Sequence, residues 1–158
     1  MRPTVYVETT VIGYLTSRPQ SDVAVAGHQQ TTRDWWESAL DRFDLFASQL
    51  VAQECSTGNE HAARDRMAAL VKLKLLPVTS EAEQLAEYLV RRHAVPETEP
   101  EDALHIALAA AHRIQYLVTW NCRHIANAAT RLVIERACRD AGYEPPVICT
   151  PEELLEAR

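Results

Sequence analysis

Glycine is scarce in this 158-residue chain, which has four. None builds the glycine-rich loop that cradles a phosphate, so a nucleotide-binding Rossmann protein is not expected. Cysteine is scarce too. Cys55, Cys122, Cys138 and Cys149 form no CxxC pair, and free thiols in a reducing cytosol are the natural reading. No apolar run is long enough to span a bilayer. The N-terminus lacks a signal-peptide pattern, because Val5-Tyr6-Val7 is too short and Glu8 ends it. A cytoplasmic protein with no membrane partner is therefore expected. An excess of positive charge is also missing. Lys and Arg number 16 against 22 Asp and Glu, a net charge of −6. That argues against a general nucleic-acid coat protein. It leaves a nuclease open, since acids gathered at a metal site also lower the net charge.

What is present is a hydrophobic fraction of 47% with strong periodicity. This predicts a folded domain with a real core rather than a disordered chain. No repeat, low-complexity tract or linker divides it, so residues 1–158 are read as one domain.

Short runs of strand formers alternate with helical segments. Val5-Tyr6-Val7 is apolar on both faces, as in a buried parallel strand. Thr9 or Thr10 is placed to cap a short helix through Leu15, and Asp22 to cap a long one from Val23 to about Arg42. The polar stretch His28 to Thr32 within it predicts a face toward solvent or a partner. Leu45 to Ala47 reads as a second strand, with Ser48 capping a helix that carries Glu54. Asn59 opens another helix through Leu73. Leu75-Leu76-Pro77-Val78 reads as a third strand, and Pro77 puts it at an edge because proline cannot donate to a ladder. Ser80 to Glu83 has capping-box spacing for a helix to about His93. Tyr116 to Thr119 is a fourth strand and Val147 to Cys149 a fifth. Between them a helix runs from Thr130 to Ala141, and Thr150-Pro151-Glu152-Glu153 closes the pattern with a second capping box. The alternation predicts an α/β domain around a mainly parallel five-stranded sheet.

The stretch Glu101 to Ala111 reads as a buried helix interrupted near its start by Asp102 and His105, which share a face. A carboxylate there needs a neutralising partner: the helix dipole or a metal ion. In open parallel sheets ligands bind beyond the carboxyl ends of the strands. Glu8 ends the first strand, Asn121 follows the fourth, Glu54 follows the second, and Asp102 heads the helix that leads into the fourth. Clustered carboxylates repel unless a cation lies between them. Oxygen ligands without Cys or His pairs favour Mg²⁺ or Mn²⁺ over zinc, and such a site can bind a phosphate oxygen and activate water. Taken singly, each residue has a structural account: Glu8 and Glu54 as solvated side chains, Asp102 as a dipole partner with Glu99 and Glu101, Asn121 as a turn residue. Their joint placement raises the metal site above those accounts. His105 reads first as a core histidine, and otherwise as a residue orienting Asp102. Thr9 and Thr119 are candidate hydroxyl donors to site carboxylates or water, which their spacing alone does not establish. His124 and Asn127, beside the fourth-strand loop, read first as structural turn residues and otherwise as contacts to substrate phosphate, and Arg18, Arg33, Arg123 and His124 are candidates for local substrate contacts. Cys122 and His124 do not face each other, so a thiol nucleophile is set aside.

Val5-Tyr6-Val7-Glu8-Thr9-Thr10-Val11-Ile12, Glu54, Asp102-Ala103-Leu104-His105-Ile106-Ala107 and Leu117-Val118-Thr119-Trp120-Asn121 together resemble the PIN-domain family, and within it the VapC-like toxins of toxin–antitoxin pairs. The resemblance implies a three-layer α/β/α fold with sheet order 3-2-1-4-5. It implies a Mg²⁺- or Mn²⁺-dependent endoribonuclease acting on single-stranded or structured RNA, a cognate antitoxin and a homodimer. Glu8, Glu54 and Asp102 then take the metal positions, with Asn121 in the fourth catalytic position. Two residues depart from the family pattern: Glu8 and Asn121 stand where Asp is usual or frequent. Three acids remain, enough for one divalent ion. Two rival readings carry the same residues: a PIN-like binding module without catalysis, with Trp35 and Trp36 at its interface, and a metal-dependent phosphatase.

Overall fold

The structure is a computed structural model and describes residues 1–156. Its strands are β1 (Thr4–Val7), β2 (Asp44–Ser48), β3 (Lys74–Leu76), β4 (Tyr116–Val118) and β5 (Val147–Cys149). Its helices are α1 (Thr9–Thr16), α2 (Val23–Arg42), α3 (Gln49–Cys55), α4 (Glu60–Leu70), α5 (Ser80–Arg91), α6 (Pro100–Ala111) and α7 (Ala128–Asp140), followed by a 3-10 turn at Pro151–Leu154. The strands form one parallel sheet in the order β3-β2-β1-β4-β5. This is the expected fold.

β1 lies at the centre, with Val5 paired to Leu45 on one side and Tyr116 on the other. Central position and helices on both faces explain why Val5, Tyr6 and Val7 are all apolar-bodied and fully buried. The chain moves one way across the sheet from β1 to β3, then crosses β1 and continues through β4 to β5. Right-handed crossovers place α1–α4 on one face and α5–α7 on the other. The packing agrees: α1 meets α2, α3 and α4, while α5 meets α6 and α7. The direction of strand order reverses between β1 and β4. A crevice therefore opens beyond their carboxyl ends, which is where ligands bind in open parallel sheets.

Several local readings need correction. Pro77 falls just outside β3, which is nevertheless the edge strand, and its carbonyl accepts from the His112 ring 2.9 Å away. The cap of α5 is Thr79, not Ser80; its hydroxyl accepts from Ala82 N. Neither Thr9 nor Thr10 caps α1, because Glu8 holds the cap position and both hydroxyls turn to site carboxylates. α7 starts at Ala128, two residues early, since the Asn127 side chain caps it. The polar stretch of α2 does not simply face outward. Gln29 and Thr32 are buried because each has an inward partner: Gln29 bonds Ser17, Gln20 and the Arg18 carbonyl, and Thr32 bonds Trp120. Trp35 is fully buried and Trp36 packs against the core, which removes Trp35 from any exposed interface.

Candidate active site

β1 delivers Glu8 to the crevice, where it is 3% exposed. Two hydroxyls, Thr10 Oγ1 and Thr119 Oγ1, donate to its Oε1, the latter at 2.6 Å. Each hydroxyl also accepts a backbone N–H: Trp120 N donates to Thr10 Oγ1 and Asn121 N to Thr119 Oγ1, both at 2.9 Å. The threonines thus pin the end of β1 to the loop after β4. Sequence reasoning named Thr119 and Thr9 as donors but missed Thr10, whose position two residues beyond a strand-end carboxylate was the available signal.

Ser48 ends β2 and caps α3 by accepting from Val51 N. The helix then carries Glu54 to its last turn. Glu54 Oε1 accepts from Thr9 Oγ1 at 2.6 Å and pairs with His105 Nε2 at 2.7 Å. Since Thr9 follows Glu8 directly, the Glu8 and Glu54 carboxylates are brought together through one backbone step. Burial pushes the Glu54 carboxyl up, but the His105 hydrogen bond and charge, with the Thr9 hydroxyl, hold it below its ordinary value.

α6 begins at Pro100, with Glu99 at its cap position. His105 is 1% exposed and points inward. Its Nδ1 lies 2.8 Å from the Tyr6 hydroxyl, which in turn lies 2.8 Å from Ser48 Oγ. The reading of His105 as an orienter of Asp102 is corrected here: its bonds go to Glu54 and Tyr6. An i, i+3 pair shares a helix face only approximately, and β1 draws the buried ring inward while Asp102 stays at the rim. Burial acts to lower the His105 pKa, yet the Glu54 bond and the nearby Glu8, Glu54 and Asp102 charges raise it. Burial also pushes the Tyr6 hydroxyl far up, so it stays protonated.

Asp102 finds another histidine. His124 Nδ1 lies 2.9 Å from Asp102 Oδ2. Asn121 arranges this: its Oδ1 accepts from His124 N at 3.1 Å, and its carbonyl accepts from Ile125 N and Ala126 N. Asn127 ties the same turn by donating to the Cys122 and Arg123 carbonyls. The Arg123, Arg18 and Arg33 guanidinium groups make no hydrogen bond or ion pair among the described residues.

Glu99, Asp102 and His124 each offer a ligand atom within 4.8 Å of the other two. Sequence reasoning assigned Glu99 to the helix dipole; its place just before Pro100, where a helix must begin, was the signal for the site. Among the described residues Glu8 and Glu54 join no such three-residue group. Glu54 and Asp102 do line one cleft of about 490 Å³, together with Glu99 and Glu101. The donor chemistry suits a hard divalent ion. Every protein donor on the site carboxylates falls on one oxygen of each: Glu8 Oε1, Glu54 Oε1 and Asp102 Oδ2. Glu8 Oε2, Glu54 Oε2 and Asp102 Oδ1 have no hydrogen-bond donor among the described residues. Carboxylate oxygens gathered and left without donors are the ligand type that Mg²⁺ and Mn²⁺ take.

A parallel sheet ordered 3-2-1-4-5, with acids at its switch point, defines a class that comparison names. The PIN-domain model matches residues 5–129, and the chain belongs to that family. Among solved structures it is similar to VapBC2 from Rickettsia felis, described as bound to a DNA fragment from its promoter. The TM-score there is 0.59 at 12% identity, covering 93% of this chain and 98% of the other. It is also similar to Mycobacterium tuberculosis VapC20, described as a sarcin–ricin loop cleaving toxin. That match has a TM-score of 0.60 at 18% identity and covers 90% of this chain and 99% of the other. Comparison with curated proteins gives no match.

Proposed function

We propose that the protein is a Mg²⁺- or Mn²⁺-dependent endoribonuclease that hydrolyses single-stranded RNA phosphodiesters, and that it acts as the toxin of a toxin–antitoxin pair. What supports this reading is the donor pattern of three carboxylates, Glu8 after β1, Glu54 on the helix after β2 and Asp102 at the head of α6: each has one oxygen without a donor among the described residues. Those three residues hold the ion, with Asp102 shared with the Glu99–His124 group. The bound ion supplies Lewis-acid polarisation of a phosphoryl oxygen and a more acidic water.

The chain's own residues prepare that chemistry. Thr10 and Thr119 fix the Glu8 carboxylate by one oxygen and leave the other without a donor among the described residues. Thr9 and His105 do the same for Glu54. His124 orients Asp102, and Asn121 sets the turn that presents His124; we place Asn121 in the site by that positioning role. A carboxylate oxygen without a donor can also accept the proton of an attacking water. Arg123, whose guanidinium has no partner among the described residues, is the candidate for substrate phosphate, whereas the Asn127 side chain is taken up by the turn and by the α7 cap. The similarity to VapC proteins supports a cognate antitoxin partner, and assembly as a homodimer is part of the same proposal.

The deciding experiment is cleavage of labelled single-stranded RNA with Mg²⁺ or Mn²⁺, comparing the wild type with Asp102→Asn. The variant keeps the shape and removes a metal-binding charge. Metal-dependent cutting that falls at least a hundred-fold in the variant is expected. Equal cutting by both proteins overturns the assignment of Asp102. Absence of cutting by either, with both folded, points to the binding module or to a small phosphate ester.

A further inference from the structure

Beside the acidic crevice stands an aromatic cluster that the ion chemistry does not use. Trp120 follows Thr119 directly, and its backbone N–H is bonded to the Thr10 hydroxyl that holds Glu8. Its indole Nε1 donates to Thr32 Oγ1 at 2.8 Å. The same Thr32 hydroxyl donates back to the His28 carbonyl at 2.6 Å. Thr32 thus ties the Trp120 indole to the turn of α2 that carries His28, and the His28 and Trp120 rings lie 4.1 Å apart at 14°. Tyr14 closes the cluster edge-on, 5.6 Å from His28 and 6.2 Å from Trp120.

Core packing accounts for part of this, since Trp120 packs against the core. It does not account for the rest. All three rings are half-buried rather than buried. The Tyr14 hydroxyl and both His28 ring nitrogens have no hydrogen bond among the described residues, while the one polar edge that points inward, Trp120 Nε1, is bonded. A rigid aromatic stack with exposed ring surface and free polar atoms suits a flat, hydrogen-bonding ligand. Next to a phosphodiester site that ligand is an unpaired nucleobase, which stacks on aromatic rings whatever its identity.

We infer that the His28–Trp120 stack, edged by Tyr14, is a platform for an unpaired nucleobase of the RNA flanking the scissile phosphate. This deepens the ribonuclease reading and rests on it. It makes the three residues positioning residues, holding a base of any identity while the carboxylates act on the backbone. It also accounts for RNA binding by an acidic protein, because stacking needs no positive surface.

The test is the affinity of a short labelled single-stranded RNA in chelator, where no cutting occurs, against the same RNA with abasic positions. Wild-type protein should bind the intact RNA about ten-fold more tightly. His28→Ala should abolish that preference, and His28→Phe, which keeps a ring, should restore it. Equal affinity of the wild type for both RNAs overturns the platform, as does a preference that persists in His28→Ala. If His28→Ala does not fold, the wild-type comparison still decides. A metal-dependent cleavage assay run alongside separates the two readings. Base preference without cutting leaves the platform standing and removes the nuclease. Cutting of intact and abasic RNA with equal KM removes the platform and leaves the nuclease.

Discussion

His105 Nε2 lies 2.7 Å from Glu54 Oε1, tying the middle of α6 to the end of α3 across the end of β1. The bond spans both helical layers, and its histidine is buried while its carboxylate keeps 32% of its side-chain surface. Replacing His105 with Ala leaves the Tyr6 hydroxyl without its ring partner and Glu54 with only Thr9. Loss of a buried polar partner costs about 1–3 kcal/mol, and the exposure of Glu54 keeps the loss near about 2 kcal/mol. Urea unfolding of wild type and variant measures it; a change within about 0.5 kcal/mol removes the pair from the stabilising contacts.

The same pair sets a pH window. His105 is raised above its ordinary value of 6.5, so its contribution is full below that value and fades as pH rises through the folded pKa. Glu54 is lowered below its ordinary 4.5, so its contribution is full above that value and fades as pH falls through the folded pKa. In chelator, the stability attributable to the pair should therefore peak between about 4.5 and 6.5. Melting temperatures of wild type and His105→Ala across pH 4 to 9 should differ most there, by roughly several degrees.

Thr119→Val keeps the shape of the residue and removes a hydroxyl that serves Glu8 Oε1 and Asn121 N at once. Such an orienting contact is worth about 10–100-fold in metal affinity. Mn²⁺ titration should show a loss in that range, with the fold retained. Unchanged Mn²⁺ binding would place Glu8 outside the ion's ligands.

Three helices end alike. Ala94 N bonds to Leu89 O, Ile114 N to Ala109 O and Tyr143 N to Cys138 O, the closing bonds of a Schellman motif. The residues at the turning position are His93, Arg113 and Gly142, all at positive φ. Only the last is glycine, and a side chain there costs about 1 kcal/mol. Arg113→Gly should raise stability by about that amount and Gly142→Ala should lower it similarly, both leaving RNA affinity unchanged. Thermal melts decide the sign.

Thiol chemistry should single out one residue. Burial pushes Cys55 and Cys138 up to about 11 and Cys149 up to about 12, whereas Cys122 is exposed. A thiol reagent at neutral pH should label one equivalent rapidly in the native protein and four after denaturation. Rapid labelling that survives Cys122→Ser would contradict this burial pattern.

Much of the architecture was legible because it rests on local signals. Val5-Tyr6-Val7 reads as a central strand because burial on both faces demands continuous apolarity, and Asp22 and Asn59 read as caps because their side chains have that one local use. The misreadings share a cause: a side chain with two possible partners. Thr9 and Thr10 look like caps until long-range carboxylates claim them, and Gln29 and Thr32 look exposed until loop 17–20 and Trp120 claim them. Glu54, Asp102 and Glu8 could be placed at one end of the sheet from topology alone. Their hydrogen-bond partners could not, because pairing His105 with Glu54 and His124 with Asp102 depends on how helices pack. The ends of α5 and α6 were legible from where the apolar pattern stops, near His93 and at Ala111, although neither carries the glycine that marks the end of α7.

The Thr119 hydroxyl reaches Glu8 across 111 positions of chain, and β4 supplies the neighbour that β1 needs on its open side. A ribosome delivers the acid of β1 early and the threonine that orients it much later. During that interval α1 to α5 can pack, yet the crevice has only one wall. The crevice at the end of β1 is therefore complete only once β4 lies beside β1 and Thr119 reaches Glu8.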